Sequence, residues 1–468
     1  MWKYYLVGWG LAFGAAVLLR RRGFFAGEDR PGLSWRAAVA LFLLALAPRL
    51  AWVGGSGTEV ALDGPRVDEG AISLRRAYHL AHGLGYTEWG TDRPTAHRPP
   101  GYPFFLAPWI GLFGVQRGWI LCVGAVCLAL IAPLAGGIAA RIWGHRVGFL
   151  AGLLTALNPT HILASGVVLE EHLGTLLMYG AIHEALRDDR ARVTGRTFAA
   201  GLLIGLGAFV RPQATLLCWT LPAAFRLAAA GTGASPWVAW RKAVVFLLLT
   251  LCVEFPWGVR NYVQFGEVIP YTTTVTKGLM MRNRTHDDCV LYMSMQNEIE
   301  QYRFGRAAFL SFVKNEPARL LANMGYSFCE MFGIVGPAGN PGWYPTQTAW
   351  AVWYNHRTTP PEILADPGWV RAQVYHKGGT LCSVFYSLLL AGWLAGTLPA
   401  IRGNLGAPRS AGAVFLLLFV LAWIAANALS HGEERYRFPL EPALGMFAAA
   451  AFARLAGARV VEMDRAGG

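Results

Sequence analysis

Arg66–Phe105, RVDEGAISLRRAYHLAHGLGYTEWGTDRPTAHRPPGYPFF, is polar, charged and aromatic, and it stands between long apolar runs. The run ahead of it, Ala37–Val53, is long enough to cross a bilayer, and many more apolar blocks follow. A polar loop of this length, delivered directly from a bilayer-crossing segment, is a place where function concentrates. Asp68, at its start, is the first candidate for a catalytic base. Everything else in the chain then reads as a scaffold that presents this loop.

The composition agrees. The 468 residues are 54% hydrophobic and include 18 tryptophans, and the mean hydropathy is +0.36. Only 15% are charged, against about a quarter in soluble domains. The net charge of +13 does not indicate nucleic acid, because most of the excess arginine lies in short loops beside apolar runs, where the positive-inside bias puts it. Of the seven cysteines, Cys122, Cys127, Cys218, Cys252 and Cys382 fall in or beside apolar runs and read as small hydrophobes. Cys289 and Cys329 lie in a polar section, where pairing is left open. No metal-ligand spacing of Cys or His is present. Tyr4–Leu19 ends in Arg20-Arg21-Arg22 and resembles a span with its N-terminus outside rather than a cleavable leader.

Taking Arg20–Arg22 as cytoplasmic sends Ala37–Val53 outward. Pro103–Gly114 is short and broken by Pro108, and it reads as a helix lying on the membrane surface. Trp119–Ala140 then runs inward to the basic turn Arg141–Arg146, and Val147–Ser165 runs outward to a second outer loop with Glu170 and Glu171. Leu173–Leu186, Phe198–Val210, Ala214–Phe225 and Val244–Trp257 alternate after it, with Arg187–Arg192 and Arg241-Lys242 inside and Arg211-Pro212 outside. Residues from Arg260 to about Lys377 contain no clean span and form a second outer region, with an amphipathic helix near Pro317–Phe332. Leu381–Ala400, Ala413–Leu429 and Leu440–Leu455 close the chain. The expectation is therefore an all-α polytopic membrane protein of about eleven spans, in which one register puts every basic short loop on one side. It divides into residues 1–33 (extra N-terminal span and basic turn), 34–260 (core, including the loop 56–116), 261–377 (second outer region) and 378–468 (closing spans and basic tail).

On the outer face this register gathers Arg66, Asp68, Glu69, His97, Arg98, Glu170, Glu171, Arg211, Arg260 and the run His431–Arg437. Arginines with carboxylates at a lipid–water boundary suit a phosphate-bearing amphiphile, the guanidinium groups holding the phosphate and a carboxylate taking a proton. Plainer readings stand beside this one. Asp68-Glu69 and Glu170-Glu171 also fit as helix N-terminal carboxylates, Arg211 as an interfacial anchor, and Pro99–Pro103 as a stiff turn. On residues alone the alternatives stay open between an enzyme, a lipid-phosphate or sugar translocase, and a catalytically silent scaffold.

Several blocks carry a resemblance. Asp68-Glu69, Tyr78–Ala81, Gly83-Leu84-Gly85-Tyr86 and Arg98-Pro99-Pro100-Gly101-Tyr102-Pro103 appear in order. Leu157-Asn158-Pro159, Arg211-Pro212, Pro256–Tyr262 and Arg435–Pro439 follow. The ordered set resembles the GT-C class of membrane glycosyltransferases, in particular the protein O-mannosyltransferase and aminoarabinose transferase group. Tyr271–Tyr375 matches little of it, and relatives carry a Glu where this chain has His97. The resemblance implies a GT-C fold and transfer of a sugar from a polyprenyl-phosphate donor, with inversion, to a lipid, glycan or protein acceptor outside the cytoplasm. It implies Asp68 as general base and Arg98 and Arg211 at the donor phosphate, to which Arg435 and Arg437 are added. Glu69, Glu170, Glu171 and His97 are placed on the acceptor or second-loop side. No cofactor is assigned; a divalent metal is left open, and no metal ligand is named. The Ala/Gly/Arg-rich usage points to a bacterial inner membrane, and no nucleic acid partner is expected.

Overall fold

A computed structural model describes residues 21, 32–54, 69–188, 192–230, 235–280, 283, 288, 291–292, 294–332, 385–397, 410–429 and 434–456. Asp68 and Arg66, the proposed N-terminal span, Cys289 and all of 333–384 lie outside them. The described residues are helices joined by turns; among them the only β-type pairing is an isolated bridge, Thr87–Pro94. Among the described residues three helices are long and apolar enough to cross a membrane: Trp35–Gly54, Gly118–Trp143 and Trp237–Phe265. Gly101–Phe113, Gly195–Val210, Phe385–Thr397 and Gly412–Ala428 are apolar but shorter.

In chain order the elements are α1 (Trp35–Gly54), α2 (Glu69–Ala81), α3 (Gly101–Phe113), α4 (Arg117–Trp143), α5 (His145–Ala156), α6 (Pro159–Ala164), α7 (Glu170–Arg187) and α8 (Gly195–Val210). A 3-10 turn, Pro212–Leu216, leads into α9 (Leu217–Ala230), followed by α10 (Pro236–Phe265), α11 (Thr274–Met280), α12 (Glu298–Asn315) and α13 (Pro317–Met331). The last elements are α14 (Phe385–Thr397), α15 (Ser410–Ala428), a 3-10 turn Glu434–Leu440, and α16 (Glu441–Leu455). Local chemistry sets the ends. In α10, Ser235 caps the first turn by accepting from Trp237 N, Pro236 takes the first helical position, and Gly266 at φ 67° closes the last turn.

The expected continuous span Val147–Ser165 is corrected to two helices. Pro159 disfavours helical backbone at Asn158, whose side chain instead caps α6 by accepting from Thr160 N and His161 N. The carbonyls thus released at the end of α5 are met by Arg49, fully buried in α1, which donates to Ala156 O at 2.8 Å and Thr155 O at 3.3 Å.

α4, α5, α7, α8 and α16 form the packed centre, and small residues let helices approach closely: a Cβ on Gly148 would lie 2.6 Å from Gly136 O. Leu248, Leu251 and Phe255 of α10 point outward and stay exposed, whereas Phe415, Phe419 and Trp423 of α15 are buried. Apolar side chains left on the outside suit a lipid solvent. Val53 at the end of α1 packs with Leu121 and Ala125 near the start of α4. The chain between them therefore leaves and returns at one end of the bundle. At 13 residues α3 is about 20 Å long, short of the roughly 30 Å hydrocarbon core.

At the opposite end of the bundle, Lys242 Nζ and an Asp188 carboxylate oxygen lie 2.7 Å apart, both almost fully buried. Asp188 also accepts from Thr194 and Thr197, the capping pair at the start of α8. This knot joins the end of α7 to the beginnings of α8 and α10.

Candidate active site

The last residues of α8 meet Pro212, which cannot continue the helix, so the chain turns at Arg211. Arg211 is almost fully buried, and its Nη1 lies 2.5 Å from Glu171 Oε1, itself buried in the first turn of α7. Gly174 makes room for the guanidinium stem: a Cβ there would stand 3.1 Å from Arg211 Cγ and Cδ. The ring of Tyr436 lies 5.8 Å from the guanidinium carbon. Glu170, one residue earlier, is half-buried.

Around this pair lies a cavity of about 510 Å³. His97, Arg98 and Pro99 form one wall, and Glu170, Glu171, Arg211, Pro212, Gln213, Thr215 and Leu216 another. Thr272, Thr274, Val275, Lys277, Gly278 and Leu279 cover it, with Ala426, Asn427 and Tyr436 completing the lining. Every lining group sits at the helix end that alternation of the spans puts on one common side, away from the Asp188–Lys242 knot.

The loop holding His97 and Arg98 is fastened from several directions. Tyr86 OH donates to Arg98 O at 2.9 Å, and burial pushes this phenol far above its usual range, so it stays a neutral donor. Arg260 donates to Thr95 O at 2.8 Å and Tyr86 O at 2.9 Å while its guanidinium stacks on Trp257 at 4.8 Å. Glu298, in the first turn of α12, accepts from Thr95 Oγ1, Ala96 N and Thr273 Oγ1 at 2.7–3.0 Å. Arg260 is therefore a clamp on the loop and is absent from the lining.

The structure brings together His97, Arg98, Glu170, Glu171 and Arg211 of the expected set. Glu69 opens α2, and its side chain lies outside the described ones, as does that of Arg435. Arg437 is a correction: it does not line the cavity. Its Nε lies 3.4 Å from Glu441 Oε1, Nη1 donates to Met331 O at 3.2 Å, and its guanidinium covers the Tyr386 ring at 3.5 Å. Both Arg437 and Glu441 are buried, and Asn158 and His161 also meet Glu441, at 2.7 and 3.8 Å. Its charge belongs to a core network. The signal was readable, since Arg437 and Glu441 stand four residues apart across a helix start. Conversely, Lys277, Thr272 and Thr274 line the cavity from a stretch that carries no motif. Among the described residues no group of three or more His, Cys, Asp or Glu side chains is arranged to hold a metal ion.

No family model matches the sequence, and no curated protein matches it. Solved structures do. The archaeal oligosaccharyltransferase AglB from Archaeoglobus fulgidus, in complex with an inhibitory peptide and a dolichol-phosphate, aligns with a TM-score of 0.55 at 14% identity, over 89% of this chain and 50% of that one. The same enzyme tethered to an acceptor peptide with the NVT sequon gives 0.54 at 14% identity, over 89% and 49%. ArnT from Cupriavidus metallidurans, bound to undecaprenyl phosphate, gives 0.42 at 13% identity, over 85% and 78%. The fold is the GT-C fold. The chain spans about half the length of the oligosaccharyltransferase structures it matches, and at such identity the likeness is one of architecture.

Proposed function

We propose that this protein is an integral membrane glycosyltransferase that moves a sugar from a polyprenyl-phosphate carrier to an extracytoplasmic acceptor, with inversion. The observation that carries the reading is the cavity itself, where Arg98 and Arg211 stand with Glu170 and Glu171 at one end of an apolar helix bundle. Cations near a lipid-depth pocket suit a phosphate headgroup, and the oligosaccharyltransferase of like fold was solved with a dolichol-phosphate. About eleven spans, a bacterial inner membrane and an extracytoplasmic cavity complete the proposed arrangement.

In the proposed step an acceptor O–H oxygen bonds to the anomeric carbon as the bond from that carbon to the phosphate oxygen breaks. The bonding pair leaves on the phosphate, where Arg98 and Arg211 offset its charge, and the acceptor proton passes to the Asp68 carboxylate. Asp68 takes this role from the motif it opens, one residue ahead of α2; Glu170 and His97 are assigned to the acceptor side. Glu171 holds Arg211 in place, so the donor phosphate shares a guanidinium that is already oriented.

A translocase reading has one point in its favour, the charges buried within helices. Arg49, Glu441 and Glu171, however, have structural partners: Arg49 caps α5, Glu441 meets Arg437 and Asn158, and Glu171 meets Arg211. The deciding assay follows transfer of radiolabel from a polyprenyl-phosphate sugar in membranes, comparing the parent with Asp68→Asn. Transfer by the parent and its loss in the variant is expected. Equal transfer by both removes Asp68 as base, and no transfer by either returns the translocase or scaffold.

A further inference from the structure

The cover of the cavity comes from the segment least like any glycosyltransferase motif, and it is held at both ends. At its start Thr273 N donates to Ala96 O at 3.0 Å and Thr272 Oγ1 to His97 O at 2.7 Å. At its far end Asn283 donates from one amide nitrogen to Leu279 O at 3.0 Å and Leu429 O at 2.6 Å, beside the end of α15. The strap α11 thus runs from the wall that carries His97 and Arg98 to the wall that carries Ala426 and Asn427. One face of it is pressed against α12, where a Cβ on Gly305 would lie 2.9 Å from Thr276 Cβ and 3.1 Å from Met280 Sδ. Only a glycine permits that approach. With Thr276 and Met280 buried in this contact, Val275, Lys277, Gly278 and Leu279 are left to the cavity.

Lys277 is exposed, lines the cavity, and has no ion-pair partner among the described residues. Arg211, by contrast, already has Glu171 at 2.5 Å. We propose that Lys277 is a further phosphate ligand, supplied by the strap, that meets the charge which appears on the lipid phosphate as the sugar leaves. This rests on the glycosyltransfer reading above. The carrier phosphate is a diester with one negative charge before transfer. Once the anomeric carbon–oxygen bond breaks with its electron pair on the phosphate, it becomes a monoester whose second ionisation lies near pH 6. A mobile ammonium at the open side of the cavity adds donors for that second charge, which two guanidinium groups, one of them offset by a carboxylate, meet incompletely.

The test is binding to the detergent-solubilised full chain of polyprenyl phosphate, its methyl diester and the uncharged polyprenol, for the parent, Lys277→Ala and Lys277→Arg. The side chain is exposed, so the thermal midpoint should not move. The alanine variant should lose about tenfold in affinity for polyprenyl phosphate and much less for the methyl diester, and arginine should restore most of it. Equal losses on both lipids, or none on either, overturn the assignment. If the parent itself holds polyprenyl phosphate no better than polyprenol, the glycosyltransfer reading falls first, and Lys277 with it.

Discussion

Arg211 shows how one side chain serves both folding and binding. Its guanidinium is buried against Glu171 at 2.5 Å, so Arg211→Ala strands a buried carboxylate as well as removing a phosphate ligand. The single variant should therefore unfold at lower temperature and bind donor lipid more weakly, by about 1.5–3 kcal/mol for a lost charge-assisted bond. The double variant Arg211→Ala with Glu171→Gln should regain much of the thermal stability and none of the donor affinity. Recovery of both would leave Arg211 an anchor only. Lys242 makes the contrasting case, since its partner Asp188 lies in the knot at the other end of the bundle. Lys242→Met should cost about 3–5 kcal/mol, read as a lowered unfolding midpoint, with lipid affinity per folded molecule unchanged. His79 lies outside the spans, 2.6 Å from Thr87 Oγ1 and stacked on Trp89. Burial, and then the nearby Arg76, hold its pKa below the usual value. The neutral ring is thus favoured in the fold. Its contribution is present above about pH 6.5, the ordinary value, and is lost as pH falls through the lowered one. His79→Gln should flatten the fall in unfolding midpoint below pH 6.5.

Among the elements, α3 depends on a single glycine. A Cβ at Gly101 would lie 2.6–2.7 Å from backbone atoms of Phe209 and Val210, so the start of α3 rests directly on the end of α8, one residue before Arg211. Gly101→Ala must part these helices, at a cost of about 1–3 kcal/mol, and should lower donor affinity through the displaced Arg98 and Arg211. Unaltered binding would show that the two arginines are placed independently. The sequence made α3 legible as a short helix interrupted by Pro108. It also made the grouping of Arg98, Glu170, Glu171 and Arg211 legible, because alternation of apolar runs and basic turns assigns each helix end to a side. It hid the strap: α11 is seven residues long, polar and without periodicity, and its position depends on ties to residues 96, 97 and 429 that are remote in the chain. Arg49 was hidden differently, an arginine within an apolar run whose partners are carbonyls at the end of α5, released by the break at Asn158-Pro159.

For the whole molecule the governing quantity is parity. In the proposed arrangement α1, α4, α5 with α6, α7, α8, α9 and α10 alternate across the bilayer, with α2 and α3 kept on one face beside the cavity. The packing of Val53 against Leu121 and Ala125 enforces that return. The basic knots, Glu184 with Arg187 and Arg196 and Asp188 with Lys242, gather at the end away from the cavity, the end that the positive-inside bias would make cytoplasmic in the proposed arrangement. Two surface positions test this without reference to activity. Glu88 is exposed in the loop between α2 and α3, and Arg192 is exposed between α7 and α8. In a background lacking the native cysteines, Glu88→Cys should react with a membrane-impermeant maleimide on intact cells, and Arg192→Cys only after permeabilisation. The reverse pattern would turn the cavity toward the cytosol, where nucleotide sugars rather than exported carrier lipids supply glycosyl groups. Labelling of both positions on intact cells would break the parity on which the convergence of Arg98, Glu171 and Arg211 depends.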